Sequence, residues 1–221
     1  MSKFIVIEGL IGVGKTSLCR LVQQKWEAKL VLEPCEDNPF LAAFYADPKR
    51  YAFPAQMFYL ASRFAQQLEL CQHELFTSLI VADYLFEKDR LFAELTLNED
   101  ELGLYDRFAN LLRGSLSKPD FVLFLDAPTK AIMQRIKRRS IAAERVIEAS
   151  YLNALRSRYY KLWDRWDRCP VYVIDTERIN YVDNPDHAAW IIGLIDGWLA
   201  QQPVAGAPLP YARPAQQLSL F

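Results

Sequence analysis

Gly9-Leu10-Ile11-Gly12-Val13-Gly14-Lys15-Thr16 has the spacing GxxxxGK[ST], and the chemistry that this spacing serves is the cradling of phosphate. Glycines leave the backbone free to turn its N–H groups, that of Val13 among them, onto phosphate oxygens. A helix opening at Lys15 points its positive end at the same oxygens. The Lys15 ammonium is expected at the β/γ-phosphates of ATP and the Thr16 hydroxyl on a Mg2+ ion. Ser17 completes the expected nucleotide contact, with Gly9, Gly12, Val13 and Gly14 forming the loop itself.

Three acids each follow a short apolar run: Glu33 after Leu30-Val31-Leu32, Asp83 after Leu79-Ile80-Val81-Ala82, and Asp126 after Phe121-Val122-Leu123-Phe124-Leu125. In open α/β sheets the ligand lies at the carboxyl ends of the strands. Phosphoryl transfer to a hydroxyl needs one carboxylate that can take the proton and another group that orients Mg2+. Glu33, followed by Pro34, is the expected base, and Asp83 is the expected metal-side acid beside Thr16. Asp126 reads as a helix cap or a solvated loop charge. The basic run Arg135, Lys137, Arg138, Arg139 and Arg145 would on its own be a solvated face. Beside a phosphate loop it is expected to form a helical lid, with Arg135 and Arg139 on one helix face neutralising charge on the transferred group.

These groups need a scaffold. Apolar runs at 4–8, 30–32, 79–82, 121–125 and 171–174 predict five short buried strands. Helical periodicity is expected over 15–26, over a long stretch from about 39 to 76 interrupted by Pro48 and Pro54, over about 87–114, 129–138 and 148–166, and over 185–200. Strands that are apolar throughout and separated by helices imply an α/β fold: a doubly wound parallel five-stranded sheet of the P-loop kinase type. One domain over 1–202 is expected, then a Pro/Ala-rich linker over 203–216 and a short terminal motif over 217–221. Net charge is −1, which gives no reason to expect a broad nucleic-acid or membrane surface. No run approaches the ~18 apolar residues of a membrane span. Cys19, Cys35, Cys71 and Cys169 are too widely spaced for a zinc pattern, and a reduced, cytoplasmic setting is expected.

Taken in order, IEGLIGVGKTSL, the LEP of Leu32–Pro34, FYADPKRYAFPAQMFYLASRF over Phe44–Phe64, VADYLFEKDRLFA, PDFVLFLDAP and a basic lid resemble the deoxynucleoside kinases, especially the bacterial deoxyadenosine and deoxyguanosine kinases. The resemblance runs from about residue 3 to residue 200. It implies transfer from ATP·Mg2+ to the 5′-hydroxyl of a purine deoxynucleoside, with Glu33 as the general base. It further implies that Gln56 reads the nucleobase edge, that Arg63 and Asp89 form a base-sensing pair, and that Tyr45 and Glu144 hold the sugar 3′-hydroxyl. Arg135 and Arg139 fall on the family's lid arginines, and Thr176–Asn184 resembles the segment that packs on the ATP adenine. Family members are commonly homodimers through a helical interface. Asp89 could equally be a surface helix charge like its neighbours Lys88 and Arg90.

Two positions depart from the family pattern. Where the family has an arginine after the third strand, this chain has Tyr84, with Arg90 or Arg145 as candidates to compensate. A further lid arginine is replaced by Ile141. Two other readings stay open on sequence alone: a thymidylate-type nucleoside monophosphate kinase, and a non-catalytic kinase-like adaptor. Gln217-Leu218-Ser219-Leu220-Phe221 resembles the short peptide by which bacterial replication proteins dock on the sliding clamp, and equally could fold back or fray.

Overall fold

The computed structural model describes residues 2–33, 37–73, 77–112, 116–139, 141, 144, 146–202 and 204–212. Cys35, Arg145 and the terminal motif at 217–221 lie outside the described residues. Five strands make one sheet in the order β2-β3-β1-β4-β5: β1 (Lys3–Gly9), β2 (Lys29–Val31), β3 (Leu79–Ala82), β4 (Phe121–Asp126) and β5 (Val171–Asp175). Every pairing is parallel, as the continuous apolar runs require. The chain winds to one side of β1 through β2 and β3, then to the other through β4 and β5. The sheet therefore reverses direction at β1, whose carboxyl end carries the glycine loop.

Helices cover both faces. α1 (Lys15–Trp26) packs Leu18, Cys19 and Val22 inward, and α8 (Pro185–Leu199) packs Ile191, Leu194 and Ile195. α6 (Thr129–Arg139) leads to α7 (Ala149–Trp163), whose aromatic face closes over β4: Phe124 lies 5.1 Å from Tyr159 and 5.4 Å from Trp163, centroid to centroid. A smaller cluster of Leu60, Phe86, Ala93, Tyr105 and Ala109 joins α3 (Pro48–His73), α4 (Lys88–Thr96) and α5 (Glu99–Leu112).

Three expectations change in detail. The stretch 39–76 breaks at Asp47, separating α2 (Leu41–Ala46) from α3. Pro48 opens α3, where its fixed φ suits a first turn and its missing N–H costs nothing. Pro54 sits inside the helix without ending it. The stretch 87–114 divides at Leu97–Asn98, because Asn98 and Glu101 form a capping box. Asn98 Oδ1 accepts from the Glu101 N–H at 3.0 Å, and Glu101 Oε2 accepts from the Asn98 N–H at 3.1 Å. Finally, the Pro/Ala composition beyond 203 signalled no packing, yet the described segment returns to the domain, with Val204 against Gly197 of α8 and Pro210 and Tyr211 against β5. The Tyr211 N–H donates to the Val171 carbonyl at 2.6 Å and the Tyr211 hydroxyl donates to Asp164 at 2.9 Å. Among the described residues no helix is long and apolar enough to cross a membrane.

Candidate active site

The glycine loop follows β1 because three glycines adopt backbone angles closed to other residues. Gly12 has φ 80° and Gly14 has φ 113°, both left-handed. A Cβ at Gly9 would strike the Leu125 carbonyl, and one at Gly14 would strike the Tyr181 hydroxyl. Tyr181, buried in the loop before α8, donates to the Gly14 carbonyl at 3.1 Å and so braces the loop from behind. The Lys15 ammonium donates to the carbonyls of Gly9 and Leu10, each at 3.0 Å, placing its charge over the mouth of the loop. Burial, and next Lys88, lower the Lys15 pKa from the usual lysine value.

Asp83 joins the two halves of the site. Its Oδ2 accepts from the Thr16 hydroxyl at 2.7 Å, and its Oδ1 accepts from the backbone N–H of Glu33 at 2.8 Å. A hydroxyl and a carboxylate in contact are the hard oxygen donors that suit Mg2+, so the residues present fit that ion. Behind them Glu8, fully buried, accepts from the N–H groups of Gly9 and Leu85 and from the Tyr159 hydroxyl, fixing the end of β1 to the segment after β3 and to α7.

On the other side of Asp83, four charged side chains share a buried cluster. Arg63 of α3 pairs with Glu33 through Nη2 and with Asp89 through Nη1. Lys88 pairs with the second oxygen of Glu33 at 2.7 Å. Side-chain exposure is 12% at Glu33 and no more than 5% at the other three, so water contributes little. The Tyr105 hydroxyl donates to the free oxygen of Asp89 at 2.8 Å. Burial alone would push the Glu33 pKa up, but Arg63 and Lys88 outweigh it and hold the carboxyl well below the usual carboxylate range. Asp89 is thus no surface charge, and neither is Lys88. Arg90 does stay near the surface, where it pairs with Glu94 and Asp106 of its own side of the molecule rather than with Glu33. The cation on Glu33 that neither Arg90 nor position 84 supplies comes from Lys88. Tyr84 instead lays its ring 5.7 Å from the Arg63 guanidinium, which faces Tyr59 at 5.2 Å, and its hydroxyl donates to Gln66 at 2.7 Å.

Gln56 lies about two turns before Arg63 on α3 and is 5% exposed. Hydrogen-bond accounting fixes the direction of its amide. The Thr96 hydroxyl spends its one proton on the Phe92 carbonyl at 2.9 Å, so toward Gln56 it can only accept. Gln56 must therefore donate from Nε2, at 3.2 Å, which leaves Oε1 buried without a hydrogen-bond partner. Arg63 Nε and Gln67 Oε1 are likewise buried and unpartnered, so α3 carries three unmet polar atoms along its length.

The lid residues are held differently. Arg135 donates to the carbonyl of Val13 at 3.1 Å and to the hydroxyl and carbonyl of Thr176, tying α6 to both the phosphate loop and the segment Thr176–Asn184. Arg139 pairs with Glu144. Tyr45 sits on α2 with its ring 5.5 Å from that of Phe44. Ser17 follows Thr16 in the first turn of α1. The Asp126 expectation is corrected: its carboxylate is buried and accepts from Arg156 and Tyr160 of α7 and from the Ala127 N–H, because α7 covers this end of β4.

Sequence reasoning missed Lys88, Thr96, Tyr105, Glu8 and Tyr181. A signal for two of them was present: Lys88, Phe92 and Thr96 recur every four residues and share the α4 face that carries the site. Alternating charges in Glu87-Lys88-Asp89-Arg90 concealed it.

A doubly wound parallel sheet, a glycine loop at its reversal point and a carboxylate held opposite that loop define a P-loop phosphotransferase. The family model for deoxynucleoside kinase matches residues 5–199. Deoxyguanosine kinase of Bacillus subtilis (strain 168) is 38% identical over 157 residues, covering 71% of this chain and 76% of the relative. Deoxyguanosine kinase of Dictyostelium discoideum is 32% identical over 166 residues, covering 72% of this chain and 58% of the relative. A structure of deoxyadenosine kinase from M. mycoides with dCMP and dCDP bound superposes with a TM-score of 0.75 at 25% identity, over 88% of this chain and 99% of that one. The chain belongs to the deoxynucleoside kinase family, and its reaction is phosphorylation of a deoxynucleoside. The monophosphate-kinase and adaptor readings draw no support from these matches.

Proposed function

We propose that this protein transfers the γ-phosphoryl group of ATP to the 5′-hydroxyl of deoxyguanosine or deoxyadenosine. The observation that carries the reading is Gln56, whose Oε1 is buried and unpartnered on α3, the helix that also carries Arg63 to Glu33. A purine edge offers adjacent donors and acceptors, and an N–H donor on that edge would satisfy the Gln56 oxygen. The names of the relatives, deoxyguanosine and deoxyadenosine kinases among them, support a purine.

In this mechanism Glu33 orients the 5′-hydroxyl and accepts its proton late, since a carboxylate held by two cations is a weak base. Gln56, Arg63 and Asp89 hold the base, while Tyr45 and Glu144 hold the 3′-hydroxyl. Backbone N–H groups from Gly9 to Ser17 and the Lys15 ammonium wrap the ATP phosphates. Arg135 and Arg139 release their present partners to meet charge on the transferred group. Thr16 and Asp83 would hold Mg2+, which when bound neutralises charge across the β- and γ-phosphates.

The protein would act as a cytoplasmic homodimer. Leu104, Phe108 and Leu111 expose an apolar row on α5, with Leu68 exposed on neighbouring α3. Phe108→Glu should convert a dimer to a monomer in light scattering; a wild-type monomer ends that part. The kinase domain at 1–202 would carry residues 217–221 as a sliding-clamp peptide, which fails if deleting them leaves clamp affinity unchanged. The activity is tested by supplying Mg·ATP with each of the four deoxynucleosides and measuring monophosphate. Preference for deoxyguanosine or deoxyadenosine is expected, and preference for a pyrimidine would sink the base reading.

A further inference from the structure

We propose that Lys88 is a positioning residue for phosphoryl transfer, holding Oε2 of Glu33 so that the carboxylate faces the acceptor hydroxyl in one orientation. The inference deepens the proposed function and rests on Glu33 as the group that receives the hydroxyl. Lys88 is the first residue of α4, where the helix dipole disfavours a cation and favours an acid. It is also buried, and an ammonium loses much by leaving water. Helix stability therefore gives no reason for a lysine at this place. Its contacts do: Nζ lies 2.7 Å from Glu33 Oε2 and 5.5 Å from the centre of the Phe92 ring, whose face attracts a cation.

Charge balance makes the role specific. Glu33 and Asp89 carry two negative charges, and Arg63 and Lys88 carry two positive ones. Arg63 is divided between both acids, so without Lys88 the cluster holds one buried negative charge too many. Asp89 keeps Arg63 and the Tyr105 hydroxyl as donors, whereas Glu33 loses the donor to one of its two oxygens. Relief must come from Glu33 rotating or taking a proton, and either removes the acceptor for the hydroxyl. The other groups facing Glu33 do not replace Lys88. Asp83, at the end of β3, is an acid bonded to the Glu33 N–H. Lys15 of the glycine loop is committed to backbone carbonyls, and Tyr84 and Tyr159 are neutral phenols.

The test compares wild type with Lys88→Met, an apolar near-isostere, and Lys88→Arg, which keeps the charge. Steady-state kinetics with Mg·ATP and deoxyguanosine run beside a carbon-13 NMR titration of the Glu33 carboxyl. Lys88→Met is expected to lower kcat about 30-fold or more, with the deoxynucleoside KM within about threefold of wild type. Glu33 and the acid limb of the rate profile should titrate at higher pH. Lys88→Arg should recover about tenfold of the lost rate and restore the titration. The inference is overturned if Lys88→Met keeps kcat within about threefold or leaves the Glu33 titration where it was. Wild-type protein that phosphorylates no deoxynucleoside would end the functional reading instead, and the NMR titration would still decide whether Lys88 governs Glu33.

Discussion

The donor half of the site is made of backbone, and the acceptor half is made of side-chain charge. Around the glycine loop the polar groups are N–H and C=O atoms set by three glycines and braced by Tyr181. Its cations, Lys15 and Arg135, rest on carbonyls. Across Asp83, the acceptor half binds Glu33, Arg63, Asp89 and Lys88 into one buried cluster with no backbone partner for those pairings. Phosphates are alike in every nucleotide, so a backbone cradle suffices for them. A nucleoside must be told from its neighbours, and that needs side chains held at fixed angles by their own pairing.

Four substitutions sharpen or break this contrast. Lys15→Met removes the lysine cation at the loop mouth, and kcat should fall about 1,000-fold or more while the melting temperature stays close to wild type. Equal activity would mean that the backbone cradle works alone. Glu33→Gln should lower kcat about 100- to 1,000-fold. It also changes acid stability in a defined sense. The folded carboxyl titrates below its unfolded value, so the pair stabilises the fold above about pH 4.3 and that contribution is lost as pH falls further. Wild type should therefore lose stability more steeply than Glu33→Gln below that pH, as followed by circular dichroism; parallel curves would show the cluster to be uncoupled from folding.

Thr96→Val removes the acceptor that sets the Gln56 amide. A rise of about three- to tenfold in the deoxynucleoside KM, with the ATP KM unmoved and Thr96→Ser near wild type, is the expected pattern. A matching change in the ATP KM would erase the division into halves. The smallest effect belongs to Asn98→Ala, which should cost about 1 kcal/mol of stability through the lost α5 cap and leave both KM values alone.

The same contrast explains what could be read from residue order. The donor half is contiguous: eight residues of fixed spacing identify it, and β1, α1 and their register follow from periodicity. All five strands were legible because each carries an unbroken apolar run. The acceptor half draws on α3, α4 and α5, and its pairings exist only once those helices meet. Glu33 was reached as an acid at a strand end and Arg63 and Asp89 through family resemblance, since nothing in their local spacing says that the three touch. Lys88 and Asp126 show the limit more sharply. Lys88 read as solvated among charged neighbours and Asp126 as a cap or loop charge at a strand end, yet each is buried because a residue or element distant in sequence, Glu33 in one case and α7 in the other, comes to lie over it. Helix breaks failed for a local reason instead: the Asn98–Glu101 box was written in the chain, and helical periodicity ran straight across it.

Because Glu33, Asp89, Arg63 and Lys88 cancel one another out of reach of water, they project almost no field into solution. An uncharged nucleoside then approaches by diffusion and shape alone, indifferent to dissolved ions. ATP is a polyanion drawn toward Lys15 and the lid, and at physiological ionic strength that attraction is screened within about 8 Å. Raising potassium chloride should throttle capture of the phosphate donor while leaving capture of the acceptor untouched, and the two KM values measured across a salt series read that asymmetry directly.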